Sequence, residues 1–550
     1  MKRLLISLFT GGCFLLISAA PPTDTDTLKS TSGKYKPYKG SATRNNDILH
    51  TRLDVKFNWE KSEMEGKATI TAKTYFGKSN MLYLNARGMD IKSLEVFDLG
   101  KNKNNDLTVK NSETPENKKL DASYVYENDS LKINLGREFS DTEKYLVKIN
   151  YVAMPDKLKQ NEKGTAITAE KGLYFINPKG EDKTKMPQIW TQGEPQANSA
   201  WFPTIDNPNE KMTDEIYMTV DNKYTTLSNG TLADSHTNTD GTRTDHWKMD
   251  MPHSPYLVMM AVGEFKKITD NPWNGKEVSY YVEKEYEPFA QAIFGNTPEM
   301  IDFFSGILGT PYPWPKYSQI VVRDFVSGAM ENTSATLHGD FMVYQNDREL
   351  LDGQKADGVI AHELFHQWFG DLVTTESWAN LTLNEGFATY GEYLWEEHKN
   401  GRDAAEWVHY NSKLGYFDQW ETKKADLIRF DYKNPDDMFD ANSYNKGGQV
   451  LHMLRKYVGD EAFFASLKLY LERNKFKNVE IHHLRLAFEE VTGQDLNWFF
   501  NQWYLGKGHP ELEISKQYEA AKQKVTLRVK QIQNPSDCPL FTLPVDVDIY

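Results

Sequence analysis

The pentapeptide His362-Glu363-Leu364-Phe365-His366 has the residue types and spacing of a metal centre. On a helix, positions i and i+4 share a face, so both imidazoles can reach one ion. Glu363 is turned about 100° from His362. It cannot easily join the two histidines and is set instead to take a proton from a water at the ion. Zinc suits neutral imidazole and carboxylate ligands and, when catalytic, leaves a fourth position to water. The competing reading is two core or surface histidines brought together by chance. A third ligand is required, and Glu385 in Asn384-Glu385-Gly386-Phe387-Ala388 offers one. The eighteen residues between His366 and Glu385 let one helix end, a loop turn and a second helix run back. Alone, Glu385 would read as an ordinary carboxylate at a helix start.

A second pentapeptide, Gly328-Ala329-Met330-Glu331-Asn332, lies upstream of the histidines. Glycine and alanine let the backbone approach a ligand closely. Glu331 could pair with an ammonium group. In isolation this stretch equally describes a turn with an exposed glutamate.

Taken together, Gly-Ala-Met-Glu-Asn, His-Glu-x-x-His and the glutamate after it resemble the aminopeptidase N family of gluzincin metallopeptidases. Four further segments carry the resemblance. They are Gln192-Gly193-Glu194-Pro195 with Trp201-Phe202-Pro203 and Asp206; Trp378 and Leu383 leading into Glu385; Tyr444-Asn445-Lys446-Gly447; and Trp503 to His509-Pro510-Glu511-Leu512. The resemblance covers about Gln192 to Leu512, with a β-rich region before it.

It implies a zinc aminopeptidase that removes the N-terminal residue from peptides by a zinc-activated water. One catalytic zinc ion would be held by His362, His366 and Glu385. Glu363 would be the general base and Tyr444 the oxyanion stabiliser. Glu331 and Glu194 would hold the free α-amine. Gln192 would line the first side-chain pocket, with Gly328, Ala329 and Met330 in the substrate-binding segment beside Glu331. Ser327 would leave that pocket open. Members that also hydrolyse leukotriene epoxides carry Gln where this sequence has Glu194, which favours a plain peptidase. The alternatives are a bifunctional epoxide hydrolase and aminopeptidase, an endopeptidase on the same zinc core, and a catalytically inactive peptide-binding homologue. No ligand or base is missing to suggest the last.

These residues need scaffolds, and the hydropathy pattern supplies them. From Ile48 to about Gly263 apolar residues alternate, as in Leu53, Val55, Phe57 and in Ala68, Ile70, Ala72. This predicts an N-terminal antiparallel β domain over 48–263. Beyond it the period becomes helical, with helices expected over Tyr286–Ser305, Asp357–Leu372 and Gly386–Lys399, and a stripe through Val450, Leu451, Leu454, Tyr457 and Val458. A mostly α domain is expected over 264–508, with short strands and turns in Asp324–Tyr344. Strand-like alternation returns at Val525–Val529 and Val545–Ile549, so 509–550 reads as the start of a third β domain. The fold class is therefore multidomain α+β. The resemblance makes the first domain saddle-like, the second thermolysin-like and the third the start of a β-sandwich. It also implies that the natural protein continues beyond Tyr550, so the chain is expected to be a fragment.

Composition sets the outer limits. The chain has 550 residues, 39% hydrophobic and 26% charged, with a net charge of −14. Many aromatics supply large cores. The acidic balance argues against nucleic acid as a partner, which would need basic patches. The expected partners are peptides with a free N-terminus; the sequence does not give the oligomeric state. Two cysteines, Cys13 and Cys538, rule out a disulfide scaffold. Met1–Ala20 carries Lys2-Arg3, an apolar run and small residues, and reads as a signal peptide for a periplasmic or extracellular protein. The competing readings are a membrane anchor, marginal in length and interrupted by Gly11-Gly12, and lipid attachment at Cys13. No transmembrane helix is expected in the mature chain. Residues 21–47 are polar and read as a flexible leader.

Overall fold

Alternating apolar residues along Asn46–Asn58 meet others on both sides of the strand. Leu53 faces Ala68 across one ladder and Ile216 across the other. The row continues to Trp247 at one end and Ile149 at the other, and all five side chains are buried. One face of a sheet is thereby removed from water, which fixes its register.

The computed structural model describes residues 38–41, 43–101, 118–158, 167–343 and 354–547. Met1–Ala20, Cys13 and the first part of the leader lie outside these residues. At its near end, Tyr38 stacks on Phe430 with ring centres 4.9 Å apart, and the Lys39 N–H donates to the Phe430 carbonyl. No helix among the described residues is long and apolar enough to cross a membrane.

The large sheet runs through Thr231–Thr237, Thr242–His253, Met212–Asp221, Asn46–Asn58, Glu63–Thr74, Glu143–Ala153, Met89–Lys101 and Lys118–Lys119. It departs from the all-antiparallel expectation at one place: Asn46–Asn58 pairs with Met212–Asp221 in parallel. Alternation is the same for either direction, and the long stretch between these strands supplies the crossover that parallel pairing requires. A four-stranded sheet contains Gln188–Thr191, and a five-stranded sheet orders Lys266–Thr269, Glu277–Val282, Lys316–Val322, Ala335–Gly339 and Ala329–Met330.

After residue 290 the chain is mainly helical. The helices that matter for the site are α1 (Gln354–His366), α2 (Thr382–Asn400), α3 (Arg402–Trp420) and α4 (Gly447–Val458). α1 stops at His366, short of the expected Leu372. The chain turns at Gly370, whose φ of +137° suits glycine, and Val373–Thr375 then pairs with Lys477–Val479. Apolar Trp368, Phe369 and Leu372 extend the helical pattern past the end of the helix because they enter the core. Phe369 stacks on Phe387 of α2 with ring centres 4.1 Å apart, a contact worth about 0.5–1.5 kcal/mol beyond its buried area. At Gly391 a side chain would collide with Phe365, its β-carbon 2.7 Å from that of Phe365. Glycine there lets α2 lie close against α1.

Leu512–Glu519 and Lys524–Gln531 form a two-stranded hairpin, in keeping with the alternation at Val525–Val529. Of the alternation expected over Val545–Ile549, residues 545–547 are not a strand, and residues 548–550 lie outside the described residues. Alternation alone does not make one; a strand also needs a partner for its backbone ladder.

Candidate active site

The end of α1 and the first turn of α2 bring His362, His366 and Glu385 together. The Nε2 atoms of both histidines lie 3.3 Å from one oxygen of Glu385. One ligand atom from each of the three lies within 4.8 Å of the others. The far side of each ring is held. Glu392 accepts from His362 Nδ1 at 2.8 Å, and the Phe369 carbonyl accepts from His366 Nδ1 at 3.0 Å. Because a carbonyl only accepts, His366 carries a proton on Nδ1, and Nε2 is the ring atom turned toward the shared Glu385 oxygen. Two imidazoles and a carboxylate, oriented from behind, form a donor set that fits a divalent ion such as zinc.

Asp371, the loop carboxylate nearest the histidines in sequence, does not orient either ring. Only its main-chain N–H reaches α1, donating to the His366 carbonyl at 3.0 Å. Glu392 does the orienting. It lies seven residues after Glu385, two turns along the same face of α2, and that spacing was the available signal.

Glu194 and Glu331 come from loops beside strands rather than from helices. Each is nearly fully buried, and Oε1 of each has no hydrogen-bond partner among the described residues. One oxygen from each lies within 4.8 Å of Glu385. Gln367, on the turn after α1, donates to the Glu331 carbonyl at 2.7 Å and fixes its backbone. Gly193 is required beside Glu194: a β-carbon there would stand 2.2 Å from the Tyr256 carbonyl oxygen. Glu363 is 6% exposed, and its Oε2 likewise has no partner among the described residues. Tyr444 sits on a short π-helix, Asn442–Lys446, with its ring 6.0 Å from that of His362 and nearly parallel to it.

These groups share a cavity of about 310 Å³. Its walls include Glu194, Ser327, Gly328, Ala329, Glu331, His362, Glu363, His366, Glu385 and Tyr444, with Ile167 and Phe439 as apolar neighbours. Gln192 and Met330 do not line it. They pack on each other behind the wall, with Gln192 Nε2 3.2 Å from Met330 Sδ. A cleft of about 720 Å³ adjoins the cavity and shares Phe439 and Tyr444 with it. Ile167 and Phe439 carry no sequence signal, since tertiary packing alone brings them to the wall.

The charges in the cavity are unevenly settled. Burial would raise the Glu385 carboxyl, but His366 and His362 pull it down to about 2. Burial would lower His366, but Glu331 and Glu385 lift it to about 9. Burial raises Glu363 to about 8, against the pull of both histidines. Burial, and then the charge of Glu331, raises Glu194 well above the usual carboxylate range. Burial raises Glu331 as well, partly offset by His366. Several buried carboxylates face two imidazoles, so the cavity favours added positive charge.

Residues 42–257 match the peptidase M1 N-terminal domain, and residues 293–503 match the peptidase family M1 domain. Glutamyl aminopeptidase of Homo sapiens is 30% identical over 362 residues, covering 64% of this chain and 37% of that protein. Aminopeptidase M1 of Arabidopsis thaliana is 30% identical over 365 residues, covering 62% and 39%. Aminopeptidase 2, mitochondrial, of Saccharomyces cerevisiae is 27% identical over 507 residues, covering 89% and 49%. The chain spans less than half the length of these curated relatives. With two matched segments that together take in most of its residues, the chain belongs to peptidase family M1, the aminopeptidase N family of gluzincin metallopeptidases.

Proposed function

We propose that the protein is a zinc-dependent aminopeptidase, with His362, His366 and Glu385 holding the ion and peptides with a free N-terminus as substrates. The observation that carries this reading is the pairing of two sets of groups in one cavity. Beside the histidine–carboxylate trio stand Glu194 and Glu331, each with a buried oxygen that has no donor among the described residues. A buried carboxylate without a partner costs free energy, and a substrate ammonium would supply the missing donor. The names of the relatives, aminopeptidases of three organisms, support the same reading.

Zinc, when bound, supplies Lewis acidity toward the scissile carbonyl and makes a water more acidic. The protein's own groups do the rest. Glu194 and Glu331 anchor the α-ammonium and so set the distance from the N-terminus to the bond that is cut, which selects cleavage after the first residue. Glu363 holds the proton taken from the attacking water and hands it to the leaving amine. The Tyr444 hydroxyl donates to the oxyanion that develops on the carbonyl, a contact worth about 2.7–4 kcal/mol. Glu392 and the Phe369 carbonyl keep the two imidazoles in the required tautomer.

Finer assignments follow the same reading. The helical region is a thermolysin-like catalytic scaffold and the β-rich region its saddle-like partner. The Met1–Ala20 stretch directs export to the periplasm or the extracellular space. A fluorogenic aminoacyl panel, run with and without a chelator, tests the activity and its metal dependence together. Cleavage of several aminoacyl substrates that stops on chelation and returns with zinc is expected. Chelator-resistant activity, or none with zinc bound in a one-to-one ratio, would remove the reading.

A further inference from the structure

Tyr444 owes its position to an unusual turn. In a regular α-helix the Gly447 N–H would donate to the Ser443 carbonyl, four residues back. Here it is shared between the Asn442 carbonyl, five residues back, and the Tyr444 carbonyl, three back, and the five-residue bond makes Asn442–Lys446 a π-helix. Single π-turns of this kind are frequent at functional sites. The Ser443 carbonyl is not left empty: the Thr382 hydroxyl, at the start of α2, donates to it at 2.8 Å. A side chain on the helix that carries Glu385 therefore occupies the acceptor that a regular turn would use.

Two glycines close the same contact. A β-carbon on Gly447 would stand 2.9 Å from the Gly386 α-carbon and 2.3 Å from Thr382 Oγ1. A β-carbon on Gly386 would stand 3.0 Å from the Gly447 α-carbon. The two backbones touch, so neither position has room for a side chain unless the helices separate. Gly386 directly follows Glu385, and Gly447 lies three residues after Tyr444. The contact thus locks the segment bearing the carboxylate ligand to the segment bearing the tyrosine.

We infer that Thr382, Gly386 and Gly447 form a positioning device that fixes the Tyr444 hydroxyl relative to Glu385 and the two histidines. The inference rests on the oxyanion role given to Tyr444 above. It predicts that Thr382→Val, which removes the hydroxyl but keeps the branched shape, slows kcat through Tyr444. Gly447→Ala should do the same by forcing the two segments apart. A loss of up to about 10²-fold is the scale that a 1 Å misplacement carries, with KM within about threefold of the parent and bound zinc unchanged. Thr382→Ser keeps the donor and should restore near-parental kcat.

The decisive comparison repeats each substitution in a Tyr444→Phe background, where a device acting through that hydroxyl has nothing left to position. Little further loss of kcat there is the expected result. Parental kcat in Thr382→Val, or the full loss recurring on top of Tyr444→Phe, would overturn the device alone. Tyr444→Phe at parental kcat would instead remove the oxyanion role, and this inference with it. If Gly447→Ala does not fold, the Thr382→Val and Thr382→Ser pair still decides the matter.

Discussion

The two halves of the site are built in opposite ways. On α1 and α2, His362 and His366 meet a shared oxygen of Glu385 at 3.3 Å, and Glu392 and the Phe369 carbonyl hold the rings from behind. On the loops, Glu194 and Glu331 each retain an oxygen with no hydrogen-bond partner among the described residues, although that of Glu331 lies 4.0 Å from His366 Nδ1. The first half is organised before anything binds. The second keeps buried oxygens without a hydrogen-bond donor, and the proposed function gives them a substrate ammonium. A site proposed to bind an amine keeps carboxylate oxygens free of hydrogen-bond donors, whereas a site proposed to bind a metal keeps its ligands oriented.

Breaking the chemistry where the halves meet should have the largest effect. Glu363→Gln removes the proton acceptor and leaves the three ligands in place. Turnover should fall by about 10²–10⁴-fold with zinc content unchanged by elemental analysis. Near-parental turnover would take Glu363 out of the mechanism. Tyr444→Phe should come next, with kcat lower by about 10²–10³-fold and KM little moved. Steady-state kinetics on one aminoacyl substrate separates the two parameters.

The amine half is tested by Glu331→Gln. Loss of one charge-assisted contact should lower kcat/KM for a free-amine substrate by about 10–100-fold. Whatever rate remains on an N-acetylated substrate should be unchanged. An equal drop on both substrates would mean that Glu331 supports the fold rather than the ammonium. The metal half is tested by Glu392→Gln, which weakens the support behind His362. Zinc affinity, read by competition with a chelator, should fall by about 10–100-fold, with kcat at saturating zinc close to parental.

A smaller effect comes from a half-buried histidine and its buried neighbour outside both halves. His409 and His452 have ring centres 4.4 Å apart, and burial pushes them down to about 4 and about 3 from an ordinary value of 6.5. As pH falls below 6.5 the unfolded chain takes up protons that the folded chain refuses. Their contribution to stability is therefore complete above 6.5 and is lost as pH falls toward about 4 for His409 and about 3 for His452. Thermal melts between pH 7 and 4.5 should show Tm dropping, less steeply in His452→Asn. An identical slope in the variant would exclude the pair as the cause.

The metal half was the more legible in sequence because helical spacing is local. His362 and His366 are one turn apart, and that spacing alone brings their rings to one face. Glu385 needed its motif, and Glu392 was missed although it lies two turns further along the same face. The amine half depends on sheet register and loop contacts between distant segments. Nothing around Glu194 or Glu331 announces that they share a cavity, and only the resemblance linked them. Likewise, alternation along Asn46–Asn58 predicted a strand but not its parallel neighbour. Helical apolar spacing past His366 concealed the turn at Gly370, because core packing and helix periodicity ask for the same residues there.

In the proposed function one cavity couples a metal held by His362, His366 and Glu385 to the carboxylates of Glu194 and Glu331, which read a free amine. The most direct test is the cleavage rate of an aminoacyl substrate against its N-acetylated counterpart, with the same leaving group and zinc restored. The free-amine substrate should be cleaved and the acetylated one should not. Equal rates on the two would contradict the account.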